Sequence, residues 1–86
     1  MKGLKASYSD YTESEFLELI RVIFYSDTET EEEHLELMDH FVSVTGHPAG
    51  TDVIFYPEPE VEDSPEGILG EVKRWRTEQG LPGFKN

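Results

Sequence analysis

Residues 51–60 read "TDVIFYPEPE", and the fold turns on how this stretch is read. Val53, Ile54, Phe55 and Tyr56 follow an aspartate and run into Pro57 and an acidic segment. β-Branched and aromatic residues suit a short strand. A lone strand needs a partner, and no other segment of this chain alternates apolar and polar residues. A helical turn that starts at Gly50 and Thr51 and stops at Pro57 is the preferred reading. Isolated helices are marginal below about 12–15 residues, so packing must hold such a turn in place. On a helical turn, Asp52, Phe55 and Tyr56 share one face at i, i+3, i+4 spacing. Val53 and Ile54 then fall roughly opposite and plug the core. A carboxylate beside two rings on a short knob has the composition of a binding hot spot.

Three longer helices are expected around this turn. Thr12 and Glu15 form a capping box, and Tyr11 and Phe16 stand at the positions of a hydrophobic staple across it. Phe16, Leu19, Ile20 and Ile23 then recur at i, i+3, i+4, i+7. This predicts a first helix from about 13 to 25. Thr30 with Glu33 forms another capping box and starts a second helix, whose acidic first turn suits the helix dipole. Gly46 and Pro48 stop it near Thr45. Ser64 caps the last helix, with Pro65 at its first position, and Gly80 ends it. Ile68, Val72 and Trp75 form its inward stripe, with Leu69 and Arg76 alongside. The tail "LPGFK" is aromatic enough to pack back on the bundle.

The second helix has two readings. At about 100° per residue, Leu37, Phe41 and Val44 cluster on one side. Leu35, Met38 and Val42 cluster on a neighbouring side, with His34 between. The whole arc can be one wide buried stripe. It can equally be a core stripe beside an exposed binding strip.

The 86 residues suffice for one domain, 1–86, near the small end for a self-sufficient core. Net charge is −12, and its distribution says more than its size. Between Val22 and Val72 there are fourteen Asp and Glu and no Lys or Arg. Such a middle repels nucleic acid and anionic membrane and attracts a basic partner. With no cysteine, disulfides and Cys-based sites are excluded. The start has no apolar leader-like run, and the expected location is intracellular.

Signals for chemistry are weak. His34, His40 and His47 are spaced so that no pair shares a helix face as in H-E-x-x-H. "DTETEEEHLELM" (27–38) lacks the glycine a calcium-loop turn needs. There is no G-x-S-x-G and no phosphate-cradling glycine loop. No catalytic residue, metal or cofactor is expected.

Five collinear motifs, "SDYTESEF" (9–16), "HPAGTDVIFYP" (47–57), "DSPEGI" (63–68), "RWR" (74–76) and "GLPGFK" (80–85), resemble the immunity proteins of DNase colicins and pyocins. The resemblance implies an all-α, distorted antiparallel four-helix bundle with a short one-turn third helix. It implies a cytoplasmic bacterial protein, compatible with release alongside its toxin, that forms a one-to-one complex with the basic HNH-type nuclease domain. In that family the inhibitor docks beside the active site and excludes DNA. The family's Asp-x-x-Tyr-Tyr pattern, a hot spot common to all partners, corresponds to Asp52, Phe55 and Tyr56. The positions that select among toxins correspond to Phe24, Asp27, Thr28, Glu31, His34, Leu35, Met38, Asp39 and Val42. Phe55 departs from the family tyrosine. Val42 stands where some members carry glutamate, and His34 where some carry an apolar residue. Two rival readings are a carrier with a prosthetic group on Ser64 and a generic acidic adaptor. Against the carrier, Pro65 stands where such proteins usually have leucine.

Overall fold

The computed structural model describes residues 4–85. Among them are four α-helices: α1 (Glu13–Phe24), α2 (Glu31–Thr45), α3 (Asp52–Phe55) and α4 (Pro65–Glu78). A 3-10 turn at Tyr8–Asp10 precedes α1, and the described residues contain no strand. α1 packs on α2 and α4, and α3 packs on α4.

The helices begin where capping chemistry puts them. Thr12 Oγ1 accepts from the Glu15 N–H at 3.1 Å, and Glu15 Oε1 accepts from the Thr12 N–H at 2.9 Å. The expected staple is present, with the Tyr11 and Phe16 rings 5.2 Å apart, edge to face. Thr30 Oγ1 accepts from the Glu33 N–H, and Ser64 Oγ from the Gly67 N–H. α2 ends at Gly46, whose φ of 69° is left-handed and suits a residue without Cβ. Gly67 is required for a different reason. A Cβ there would collide with the Glu62 carbonyl, because the incoming loop crosses directly over the first turn of α4.

The core is one cluster. Phe16, Leu19, Ile20 and Ile23 of α1 meet Leu37 and Phe41 of α2, Val53 and Ile54 of α3, and Ile68 and Val72 of α4. Phe16 stacks on Phe41 at 5.9 Å. The tail folds back as expected: Phe84 stacks on Tyr8 at 4.3 Å, and the Lys85 N–H donates to the Tyr11 carbonyl at 3.0 Å.

One assignment on α4 is corrected. Trp75 is only half-buried, packed 5.0 Å from the His47 ring, while Arg76 is the buried residue. The reason is the last turn of α2. It has no basic side chain of its own to meet its unpaired carbonyls. Arg76 Nη1 supplies that partner, donating to the Val44 and Thr45 carbonyls at 3.2 and 2.8 Å. Its Nη2 donates to the Pro82 carbonyl at 3.0 Å, and the guanidinium lies 3.9 Å over the Tyr8 ring. Burial pushes the Tyr8 phenol up to about 12, against the pull of the Arg76 cation.

Phe41→Ala removes a fully buried ring and should cost about 3–5 kcal/mol. Trp75→Ala, at the rim, should cost only about 1–2 kcal/mol. Denaturant melts of both variants check this. Equal losses would return Trp75 to the core.

Candidate functional site

The four residues that opened the sequence question divide as their spacing requires. Val53 and Ile54 are buried, while Phe55 and Tyr56 are 44% and 78% exposed and Asp52 is also exposed. A run of turn hydrogen bonds feeds this geometry, from Gly50 N–H to His47 carbonyl through Ile54 N–H to Thr51 carbonyl. The Tyr56 N–H donates to the Asp52 carbonyl at 2.8 Å, and Pro57 then ends the helix.

The strip on α2 is real and adjoins the knob. Leu35 is 56% exposed, and His34, Met38 and Val42 are half-buried. The two open readings of α2 thus resolve to a core stripe with a partly exposed strip beside it. The His34 and Phe55 rings lie 6.5 Å apart. Gly50 lies over Val42, so that a Cβ there would touch a Val42 methyl at 3.7 Å. α2 and α3 therefore present one continuous surface.

The α1–α2 connection supplies the upper end. Phe24 is half-buried against the core, Asp27 is exposed and Thr28 half-buried. The connection is tied by Asp27 N–H to the Val22 carbonyl at 2.9 Å, with Ser26 left-handed at φ 52°. His34 Nε2 donates to the Ile23 carbonyl at 2.9 Å, joining α2 to the end of α1. Since a carbonyl only accepts, the proton sits on Nε2. Tyr25 was not foreseen. It is 65% exposed and packs edge-on against Phe24 at 4.9 Å. The available signal was an aromatic residue lying off the α1 core stripe.

Electrostatics divide the molecule. Arg21 pairs with Glu66, Lys73 with Glu13, Lys5 with Glu15, and Arg74 with Glu71 and Glu78. Among the described residues, no ion pair reaches Glu31 or Asp39 of α2 or Asp52 of α3, so no cation pairs with that face of the strip and knob. Asp27, Glu31, Asp39 and Asp52, all exposed, are left without a cation among the described residues.

The other two histidines are structural bridges. His47 Nδ1 accepts from the Ala49 N–H at 3.0 Å, and Nε2 donates to Glu71 at 3.1 Å. Burial pushes the Glu71 carboxyl up, but Arg74 and His47 outweigh it and hold it below the ordinary range. Tyr11 Oη accepts from the Lys5 N–H at 3.0 Å and is hydrogen-bonded to His40 Nε2 at 2.6 Å. Among the described residues, no three His, Asp or Glu side chains gather as a metal site, and no helix is long and apolar enough to cross a membrane.

A family model for the colicin and pyocin immunity proteins matches residues 8–78. The chain belongs to that family. The immunity proteins of pyocins S2 and S1 from Pseudomonas aeruginosa are each 45% identical to it over 85 residues, covering 95% of this chain and 98% of theirs. A chain from the crystal structure of the pyocin AP41 DNase–immunity complex superposes with a TM-score of 0.88 at 48% identity, covering 98% of this chain and 96% of its own length. A chain from the complex of the mutant pyocin S8 nuclease domain with its cognate immunity protein gives 0.87 at 45%, covering 95% and 100%. These relatives are immunity proteins, and this chain is one too, not an enzyme. The carrier reading falls with the family match, and Ser64 serves as a helix cap.

The Tyr11–His40 bridge sets a pH dependence. Burial disfavours the charged imidazole and holds His40 below its ordinary pKa. The folded state therefore binds a proton less readily than the unfolded chain, whose His titrates near 6.5. Stability should fall as pH drops below about 6.5 and level off once the folded pKa is passed. His40→Gln keeps a side chain that can hydrogen-bond the Tyr11 hydroxyl but cannot titrate. Its stability between pH 7 and 5.5 should slope less than that of the parent in urea melts.

Proposed function

We propose that this protein binds the nuclease domain of a pyocin- or colicin-type toxin and inhibits it in the cytoplasm of the cell that makes it. The observation that carries this reading is the surface at α2 and α3. Exposed Phe55 and Tyr56 stand beside exposed Asp52, which has no ion-pair partner among the described residues, and are continuous with the α2 strip. Its relatives by sequence are pyocin immunity proteins, and two similar structures come from complexes with nuclease domains.

The division of labour follows from the positions. Asp52, Phe55 and Tyr56 form the common hot spot, because a rigid turn locked by buried Val53 and Ile54 presents them at little ordering cost. Phe24, Asp27, Thr28, Glu31, His34, Leu35, Met38, Asp39 and Val42 select among toxins. The partner is an HNH-type nuclease domain bound one to one. A domain that holds DNA needs Lys and Arg for the phosphates. The unpaired carboxylates of this surface meet those cations. Docked beside the active site, the acidic protein blocks DNA sterically and by charge, without filling the catalytic centre.

Encounter with a nuclease domain should be steered by charge, so the association rate should fall steeply with salt in stopped-flow measurements. A flat rate would end the steering argument even if binding were tight. Tyr56→Ala should weaken binding by at least ~2 kcal/mol while sparing most stability. Ile54→Ala should do the reverse, with about 2–5 kcal/mol lost in melting. Phe55→Tyr should be tolerated. Changes at His34, Leu35 and Met38 should re-rank nuclease domains against one another. Dissociation constants and melts against the pyocin AP41 and S8 domains check all of these. If Tyr56→Ala melts the protein and Ile54→Ala does not, the two faces are inverted and the hot spot is elsewhere.

A further inference from the structure

Beside the knob lies a groove of about 320 Å³ between α3, the following loop and α4. Two aromatic residues, Tyr56 and Trp75, line it. Its floor is built: His47 and Glu71 have side chains 9% and 11% exposed and are joined at 3.1 Å, and Ala49 N–H fixes the histidine tautomer. Asp52, Glu58 and Glu60 also line it, and none has an ion-pair partner among the described residues. The groove's one guanidinium, Arg74, is held by Glu71 and Glu78. The volume is at the low end of small-molecule cavities, which run about 300–1,000 Å³. That suits one long side chain.

We infer that this groove receives an arginine side chain of the nuclease domain and extends the binding surface from α3 onto α4. The inference rests on the proposed function, since it takes its occupant from that partner. Aromatic side chains in a groove with free carboxylates match a planar cation. A guanidinium stacks on ring faces and can be held in bidentate fashion by a carboxylate, whereas an ammonium is a compact, strongly hydrated point charge. A DNase domain carries such cations wherever it contacts phosphate. Asp52 and Tyr56 line the groove and belong to the knob as well, so a partner seated on the knob has the groove within reach. Glu58, Glu60 and Trp75 thereby become specificity positions outside the α2 strip.

Trp75 is the sole tryptophan, so 5-fluorotryptophan labels this groove alone. The partner is whichever of the pyocin AP41 and S8 nuclease domains binds more tightly. On complex formation the fluorine resonance should shift and lose its solvent isotope effect. The exposed double variant E58Q/E60Q should dissociate at least about fivefold faster than E18Q/E36Q, which removes the same charge outside the groove. Tyr56→Ala is the reference for the knob. If Tyr56→Ala weakens binding while the fluorine signal is unmoved, or the two double variants dissociate alike, the groove is empty and this inference fails alone. If neither domain binds, the proposed function fails and takes the groove with it.

Discussion

A helix of four residues has no stability of its own, and much of the rest of this molecule follows from how α3 is held. Two of its residues, Val53 and Ile54, enter the core between α1, α2 and α4. Their burial fixes the roll of the turn about its axis. With 100° between residues, that roll leaves Asp52, Phe55 and Tyr56 no direction but outward. Pro57 prevents a further turn that would cover them. The exposed rings are therefore a consequence of core packing. They are preorganised by contacts on the opposite side of the same short element.

The second determinant is where the cations are. All seven Lys and Arg lie outside the stretch from Val22 to Val72. Folding brings Lys5, Arg21, Lys73 and Arg74 to carboxylates of α1 and α4. Exposed ion pairs of this kind add little stability, typically about 0–1 kcal/mol each. Their larger effect is to quiet one side of the molecule, while Asp27, Glu31, Asp39 and Asp52 keep no cation among the described residues. Arg76 is the exception, since it turns inward. By closing the end of α2 and holding the tail at Pro82, it fixes α2 against α4 with hydrogen bonds to carbonyls, which no lysine could reproduce with the same fork.

The helices were legible in the sequence because their boundaries are written in local chemistry. Thr12, Thr30, Ser64, Gly46 and Pro65 act within one turn of themselves, so spacing alone locates them. The division of α3 was legible for the same reason. The exchange of Trp75 for Arg76 was not. Nothing near α4 announces that the carbonyls of Val44 and Thr45, more than thirty residues earlier, lack a donor. A periodic pattern assigns an arginine to the surface and a tryptophan to the core. Only the three-dimensional neighbour reverses them. The groove at Trp75 was missed on like grounds, for it exists only where α3 and the following loop come beside α4.

The same packing ties the candidate specificity surface to stability unevenly. Leu35 is largely free, and Glu31 and Asp39 are exposed. Phe24, Met38 and Val42 are half-buried and pack against the core. His34 carries a hydrogen bond that joins α2 to α1. Substitution at the free positions changes only what a partner meets. Substitution at the packed ones changes the spacing of α1, α2 and α3 as well, in a small domain whose whole stability is of the order of 5–15 kcal/mol. Volume-conserving swaps among apolar side chains usually cost under about 1.5 kcal/mol, whereas a charge at a half-buried position must still find water or a partner. Divergence between members of such a family is therefore cheapest as charge changes at 27, 31 and 39 and as apolar exchanges at 24, 38 and 42. Position 34 is constrained differently, because any replacement that cannot donate to the Ile23 carbonyl loosens the junction on which the strip is built.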